Sequence, residues 1–478
     1  MFLRVKHIAN LGSSWMPFAD ATSDGLPLSQ LLRLSLFQLS VGMAQVLMLG
    51  RLNRVMIVEM GIPALIVATM IAIPVLVAPF RALVGHRSDN HRSAIGWKRV
   101  PYLRFGSLWQ MGGLAVKPFA LIVLSGDQVR GPEWAGQALA GVAFLMTGIG
   151  MHMTQTAGLA LASDRATDET RPRVVALLYV MYLVGMGISA LVVGWLLRDF
   201  APLTLVRVVQ GCGAATLILN LIALWKQEKV RPMTRAERDA PAPKFSAAWA
   251  DLMKDRSVLR LLVVVVLGTL SFNMQDVLLE PYGGQILGLT VGQTTLLTAM
   301  WSLGALGGFL LAARGLARGQ DPFRLAAKGA LAGIAAFSAV IFSGALQVTA
   351  LFYAGTFAIG FGAGIFGVST LTAAMAMPGK GQTSAGLALG VWGAAQATAG
   401  GVSVFLGGAI RDGIQHLAQN GAFGAIGQPS LGYTFVYHTE IGLLFATLIA
   451  LGPLVRLIPY KPTQPDSGTG LRLTEFPT

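Results

Sequence analysis

Charged residues that could form an ion-pair network are concentrated between the second and third apolar stretches of the chain. A glycine is followed four residues later by an aspartate and then by several cations: Gly85, Asp89, Arg92, Lys98 and Arg99. Glycine permits tight turns, and an aspartate can pair with a cation or accept from free N–H groups at a helix start. The pattern predicts a latch between two halves of the protein, and an ordinary basic loop is the alternative. We expect the Asp89 carboxylate near Gln382–Ser384, at the start of the eleventh apolar stretch, or paired with a cation of its own segment.

A histidine lies near the middle of the fourth apolar stretch. His152 is flanked by Met151 and Met153, and an ionisable residue inside a membrane segment is a functional hypothesis by default. A neutral imidazole can ligate a metal ion, and the alternative is a histidine that bonds to a neighbouring helix. We expect His152 to face the interior of the N-terminal half or the central cleft. His438, at the start of the last apolar stretch, is a second candidate.

Charges at the ends of two further stretches suggest a gate. Residues 53–59, at the end of the first stretch, parallel residues 275–280, at the end of the seventh. The alignment puts Arg54 and Asp276 at equivalent positions, so an internal two-fold axis would bring them face to face. The predicted gate comprises Arg54, Glu59, Asp276 and Glu280. The alternative is that these charges only mark the boundary between membrane and water.

Composition shows which elements must position these residues. Of 478 residues, 54% are hydrophobic and only 12% charged, and the mean hydropathy is +0.62. Apolar runs of about 20 residues, long enough to cross a bilayer, recur along the chain. The sequence therefore predicts an all-α membrane protein of about twelve spans. We place them at 30–50, 62–82, 101–124, 135–161, 173–197, 203–225, 257–279, 291–313, 324–345, 349–376, 384–410 and 435–458.

The distribution of basic residues predicts the orientation. Most of the 36 Lys and Arg residues fall on one side of the predicted spans, which places both termini in the cytoplasm. The net charge of +14 is therefore assigned to orientation and not to nucleic-acid binding. The predicted segments are a cytoplasmic segment (1–29), a six-helix half (30–225), a cytoplasmic linker (226–256), a second six-helix half (257–458) and a cytoplasmic tail (459–478).

The chemistry of the predicted interior favours an apolar cargo. No Asp or Glu falls at the centre of a predicted span, and Asp276, Glu280 and Glu440 come nearest, towards periplasmic ends. This counts against a proton-driven exporter, because such proteins use buried carboxyl groups as relays. The single cysteine, Cys212, excludes thiolate metal clusters and disulfides within the chain. With no nucleotide loop and no paired nucleophile and base, we predict no catalytic residues and no enzyme activity.

Several strings together resemble one family. They are Leu52-Asn-Arg-Val-Met-Ile-Val-Glu59, Pro79-Phe-Arg-Ala-Leu-Val-Gly-His-Arg-Ser-Asp89, Gly96-Trp-Lys-Arg-Val-Pro101 and Gln275-Asp-Val-Leu-Leu-Glu-Pro-Tyr-Gly-Gly284. They are similar to the PucC/LhaA family, the bacteriochlorophyll-delivery branch of the major facilitator superfamily. The resemblance implies the fold of that superfamily, with two six-helix pseudo-repeats, in agreement with the parallel repeat noted above.

The resemblance also implies a function in the inner, intracytoplasmic membrane of purple bacteria. Such a protein would bind or deliver bacteriochlorophyll to light-harvesting polypeptides, the core LH1 antenna more than the peripheral one. The expected partners are antenna polypeptides, the reaction centre and membrane lipids, and no nucleic acid. His152 and His438 would then be candidate ligands of the pigment magnesium. Two alternatives stay open, a secondary transporter of a hydrophobic tetrapyrrole and a structural scaffold for antenna subunits.

Overall fold

The computed structural model describes most of the chain. The described residues are 26–48, 56, 64–93, 95–124, 134–167, 169–197, 201–228, 230, 232–235, 244–289, 291–376, 385–420 and 430–457. The predicted gate residues Arg54 and Glu59 lie outside them, and so do Gln382–Ser384.

The described chain is built from helices. They are α1 (Leu28–Val46), α2 (Ala64–Val77), α3 (Arg81–Asp89), α4 (Val100–Leu124), α5 (Trp134–Arg165), α6 (Arg171–Leu196), α7 (Pro202–Leu224), α8 (Phe245–Lys254), α9 (Arg256–Asn273), α10 (Leu279–Ile286), α11 (Val291–Ala317), α12 (Pro322–Leu346), α13 (Thr349–Ala376), α14 (Ala385–Gln419) and α15 (Leu431–Leu457). Within the described residues, eleven helical stretches are long and apolar enough to cross a membrane.

Helix α1 lies where the first of the twelve spans was predicted, but it is not among these eleven. Its 19 residues include a stripe of buried polar side chains, Ser35, Gln38 and Ser40. The helix packs against α6 and α7. The Ser40 hydroxyl donates to Asn220 Oδ1 at 2.8 Å, and the Gln110 amide donates to the Ser40 carbonyl at 3.0 Å. The stripe therefore joins helix to helix, because polar groups in a membrane interior need partners there.

Two predicted spans differ from the structure. The second was expected to end at residue 82, but a single 3₁₀ turn (Ala78–Phe80) connects α2 to α3, and the helical path continues to Asp89. The basic residues of α3 were interpreted as loop because hydropathy falls there. The seventh was expected to be continuous, but it breaks at a 3₁₀ turn (Met274–Val277) between α9 and α10.

Each half forms its own packed group of helices. In the first half, α4 packs against α5 and α7, and α1 packs against α6 and α7. In the second, α13 packs between α11 and α12, and α15 packs against α9 and α12. The halves meet where α3 lies along α14 and where α6 lies along α11. The exact domain boundaries given above remain predictions.

Glycines set how closely α11 and α13 approach. A Cβ on Gly360 would overlap the carbonyl oxygen of Trp301. We expect Gly360→Val to lower the free energy of unfolding by about 1–3 kcal/mol through overpacking. Gly442→Val is the matched control, because Gly442 is also helical but has open space at its Cβ position. Chemical unfolding in detergent measures both, and equal losses for the two variants would contradict this packing argument.

Candidate functional site

Asp89 lies at the contact between the two halves. Its Oδ1 accepts from the Gly386 N–H at 3.0 Å and its Oδ2 accepts from the Leu387 N–H at 2.9 Å. These donors belong to the first turn of α14, where N–H groups lack partners within the helix and favour a negative charge. The same carboxylate forms an ion pair with Arg99. The predicted position of Asp89 at the start of the eleventh span and its pairing with a cation of its own segment are confirmed. Its proximity to Gln382–Ser384 is untested because these residues lie outside the described ones, and its role as a latch stays a prediction.

Arg99 is the centre of the network. Its Nη1 donates to Ser88 Oγ at 2.6 Å and its Nε to Asp164 Oδ2 at 2.9 Å. The side chains of Arg99 and Asp89 are only 4% and 5% exposed, whereas that of Asp164 is 41% exposed. Burial alone would lower the pKa of the Arg99 guanidinium, but Asp164 and Asp89 outweigh it and raise that pKa above its ordinary value. The network therefore holds a buried, charged pair between α3, α4 and α14.

Glu228 adds a contact that sequence reasoning missed. Its carboxylate accepts from the backbone N–H groups of Lys98, Arg99 and Val100, at 3.0, 2.9 and 3.2 Å. It thus caps the start of α4 from a position some 130 residues away in sequence. A carboxylate in a charged linker carries no local signal for this role.

Gly85 allows the two halves to touch. A Cβ at Gly85 would overlap the carbonyl oxygen of Gly386 on α14. Further along α14, Gly390 and Gly393 pack against the backbone and the guanidinium of Arg81. The glycine face of the eleventh span therefore receives a partner helix, α3.

The side chains of Arg92 and Lys98, two further residues of the predicted latch, are exposed. Lys98 enters the network through its backbone N–H, which donates to Glu228. Arg92 lines a cavity of about 470 Å³ together with Leu83, His86, Arg87, Asn90, His91, Tyr102 and Phe245.

His152 is placed as predicted, inside the N-terminal half. It is buried, and its Nε2 donates to the carbonyl oxygen of Pro74 at 3.0 Å. Its Nδ1 is also buried and has no hydrogen-bond partner in the described part of the chain. His438 lies on an exposed face of α15, where its Nδ1 donates to the Thr434 carbonyl at 2.7 Å.

The carboxyl groups near the seventh span require a correction. Asp276 accepts from the Gln275 side chain, and Glu280 is exposed on α10. Glu440 is fully buried, and its Oε1 accepts from the Gln275 N–H at 2.7 Å. The interior therefore contains a carboxyl group, and the argument against proton coupling that rested on its absence is wrong. The pair of Arg54 with Asp276 stays a prediction, because Arg54 lies outside the described residues.

Removing the Glu440 carboxylate should lower the free energy of unfolding measurably. In Glu440→Ala the Gln275 N–H would be left buried without a partner, and we expect a loss of about 1–3 kcal/mol in the free energy of unfolding. Glu440→Gln keeps an acceptor oxygen in place and should lose less. Thermal unfolding of the two purified variants measures the difference. Equal stability of Glu440→Ala and the parent protein would show that the contact contributes nothing.

Two cations are buried among the helices. Arg81 is buried in the membrane-spanning stretch, where its Nε donates to Thr156 Oγ1 at 3.1 Å. Lys117 is buried in α4 with its Nζ 4.1 Å from the centre of the Phe144 ring. Hydropathy windows do not separate a charge buried among helices from one at a membrane surface.

The arrangement of the helices in two packed groups is shared with a known class of membrane protein. The structure resembles that of a proton:xylose symporter of the major facilitator superfamily, with a TM-score of 0.64, 14% identity and coverage of 88% of this chain and 94% of the other. This likeness supports the predicted fold, an all-α, multi-pass membrane protein of the major facilitator type.

The family follows from the sequence comparisons. Residues 51–458 match the family described as PUCC protein, so the chain belongs to the PucC family. It is 65% identical, over the full length of both chains, to a Rhodobacter capsulatus protein described as uncharacterized, in the puhA-bchM intergenic region. It is 52% identical to Protein PucC of Rhodovulum sulfidophilum, covering 86% of this chain and 91% of the relative. A more distant Rhodobacter capsulatus relative, 28% identical over 80% of this chain and 87% of its own, is named bacteriochlorophyll synthase 44.5 kDa chain.

Proposed function

We propose that the protein is a membrane assembly factor that binds bacteriochlorophyll and delivers it to light-harvesting polypeptides. The recipient in this proposal is the core LH1 antenna, with the reaction centre as a further partner. The protein would act in the inner, intracytoplasmic membrane, with both termini in the cytoplasm, and would catalyse no reaction. The observation that carries the proposal is the PucC-family match over residues 51–458.

The two histidines fit a magnesium-containing pigment to different degrees. The magnesium of a bound bacteriochlorophyll would accept an imidazole lone pair as its axial ligand. His438 meets this need, because its Nδ1–H is held by the Thr434 carbonyl, which leaves the Nε2 lone pair free on an exposed face. Gly442, one turn further along α15, leaves open space beside it.

His152 offers a lone pair but less room. Its free Nδ1 is buried, and Gly148, one turn away, packs tightly against Pro74. A macrocycle could reach this nitrogen only after α2 and α5 separate. His438 is therefore the better-placed ligand in the arrangement that the structure shows, and it would be reached from the lipid side.

Cavity size bears on the transporter alternative. A cavity of about 70 Å³ lies within the second half, lined by residues of α9, α13 and α14. Pockets for drug-sized ligands are typically about 300–1,000 Å³, so this one would have to widen several-fold to admit a pigment. Buried Glu440 is the observation that keeps proton-coupled transport as the second candidate.

Deletion of the gene in its phototrophic host tests the proposed function. We expect membranes of the deletion strain to contain less LH1 per reaction centre, with normal levels restored by the gene in trans. Near-infrared absorption of the membranes and quantification of antenna polypeptides measure this. Unchanged LH1 assembly together with altered pigment flux in vesicles would favour the transporter instead.

A further inference from the structure

The cavity of about 470 Å³ lies on the face of α3 opposite to the one that contacts α14. Gly85 and Asp89, one turn apart, point towards α14. The residues at i, i+3, i+4 and i+7 of a helix share one face, and here four such residues line the cavity: Leu83, His86, Arg87 and Asn90. One short helix therefore presents one face to the interface between the halves and another to this cavity.

The lining of the cavity is basic. Four of its eight lining residues are arginine or histidine, and none is aspartate or glutamate. The nearest carboxylate in sequence, Asp89, is bound to Arg99 and to N–H groups at the start of α14. None of the ion pairs seen in the described part of the chain involves Arg87. A cleft lined by one sign of charge attracts ligands of the other sign, so the cavity is suited to an anion.

Aromatic side chains complete the walls and position the two histidines. The Tyr102 ring of α4 meets the His91 ring edge-on, with 5.3 Å between the ring centres, and Phe245 of α8 meets His86 in the same way at 5.5 Å. His86 is only 5% exposed, so packing fixes its place in the wall. The cavity volume falls in the range of about 300–1,000 Å³ that is typical of ligand pockets. A bare inorganic anion would leave most of this space empty.

Exposed aromatic side chains continue from the cavity along α4. Phe105 and Trp109 follow Tyr102 at i+3 and i+7, on the same helix face, and are 59% and 43% exposed. Helix α4 is a candidate membrane span that begins at Val100, so Tyr102 lies near the end of the span and the two exposed rings lie further into it. Basic pockets at the ends of membrane helices bind the headgroups of anionic lipids.

We propose that this cavity binds the headgroup of an anionic phospholipid, with the phosphate among the cations and the acyl chains along the exposed face of α4. The guanidinium groups of Arg87 and Arg92 match the oxygens of a phosphate, to which arginine can donate two parallel N–H bonds. The inference goes beyond the proposed function, because neither candidate ligand of the pigment lines this cavity.

Binding of two matched lipids tests the inference. Phosphatidylcholine carries the same phosphate as phosphatidylglycerol, but its own cation cancels the charge. Native mass spectrometry of the purified full chain in detergent measures the binding of each lipid, with identical acyl chains. Each guanidinium should favour the anionic lipid about fivefold, so the parent protein should prefer phosphatidylglycerol about 25-fold.

Variants locate the preference in the cavity. Arg87→Gln should reduce it about fivefold, and the double variant with Arg92→Gln should retain less than about twofold. Both arginines are exposed, so the variants should fold. Arg104→Gln is the matched control and should keep the full preference, because Arg104 is exposed on α4 close to Tyr102 but does not line the cavity.

Three results would overturn the lipid site. They are equal binding of the two lipids by the parent protein, an undiminished preference in the double variant, and an equal loss in Arg104→Gln. An excess of inorganic phosphate should leave the lipid bound, because a free phosphate makes no use of the apolar walls. Displacement of the lipid by phosphate would identify a site for soluble phosphate compounds and overturn the choice of a lipid.

Discussion

Asp89→Ala is expected to shift the protein from the closed arrangement, in which α3 lies along α14, towards an open one by about 1.5–3 kcal/mol, the usual contribution of a hydrogen bond to a charged group. The variant loses the acceptors for the Gly386 and Leu387 N–H groups and leaves Arg99 without its buried partner. A shift of this size changes the equilibrium by about 10- to 150-fold. Spin labels on Glu169→Cys and Arg324→Cys, in a Cys212→Ser background, would report the opening as a longer inter-label distance.

Asp412→Ala is the control for this variant. Asp412 also pairs with an arginine, Arg411 at 2.6 Å, but its side chain is 69% exposed. Surface ion pairs contribute under about 1 kcal/mol, so the distance distribution should not change. An Asp89→Ala protein with the parent distance distribution would remove the latch argument.

Arg99→Gln should destabilise the protein by about 3–5 kcal/mol, because Asp89 would remain as a buried charge without a cationic partner. Combining it with Asp89→Asn removes both charges and leaves an oxygen that can accept from the start of α14. The double variant should therefore be more stable than the sum of the single effects predicts, by about 1–3 kcal/mol. Unfolding measurements of the parent protein, the two single variants and the double variant in one detergent give all the free energies of this double-mutant cycle.

Lys98→Gln is the matched control for the cycle. Lys98 precedes Arg99 directly, but its side chain is exposed and only its backbone N–H reaches Glu228. Its replacement should change stability by less than about 0.5 kcal/mol. Additive effects of Asp89→Asn and Arg99→Gln would show that the two side chains do not depend on each other.

The local parts of the site could be predicted from the sequence. The cluster of Gly85, Asp89 and the cations that follow could be recognised because these residues are close in sequence. The contact of Asp89 with the eleventh span joins distant parts of the chain and does not follow from spacing alone. Hydropathy found the spans because each apolar run is contiguous in sequence. His152 was placed in the interior because the residues on both sides of it are apolar.

The parts that depend on tertiary contacts could not be predicted. Glu228 meets the start of α4 only through the folded chain, and nothing near it in sequence indicates a cap. Arg81 and Glu440 are buried by helices distant in sequence, whereas hydropathy treats each as a charge near the end of a span. The break at Met274–Val277 was missed because its flanking residues continue the apolar pattern.

The most direct test of pigment handling is the absorption spectrum of the protein purified gently from phototrophic membranes, together with the identity of the polypeptides that accompany it. We predict bound bacteriochlorophyll and co-purifying light-harvesting polypeptides. A colourless protein without antenna polypeptides, which instead moves a tetrapyrrole across vesicle membranes, would contradict the assembly-factor proposal.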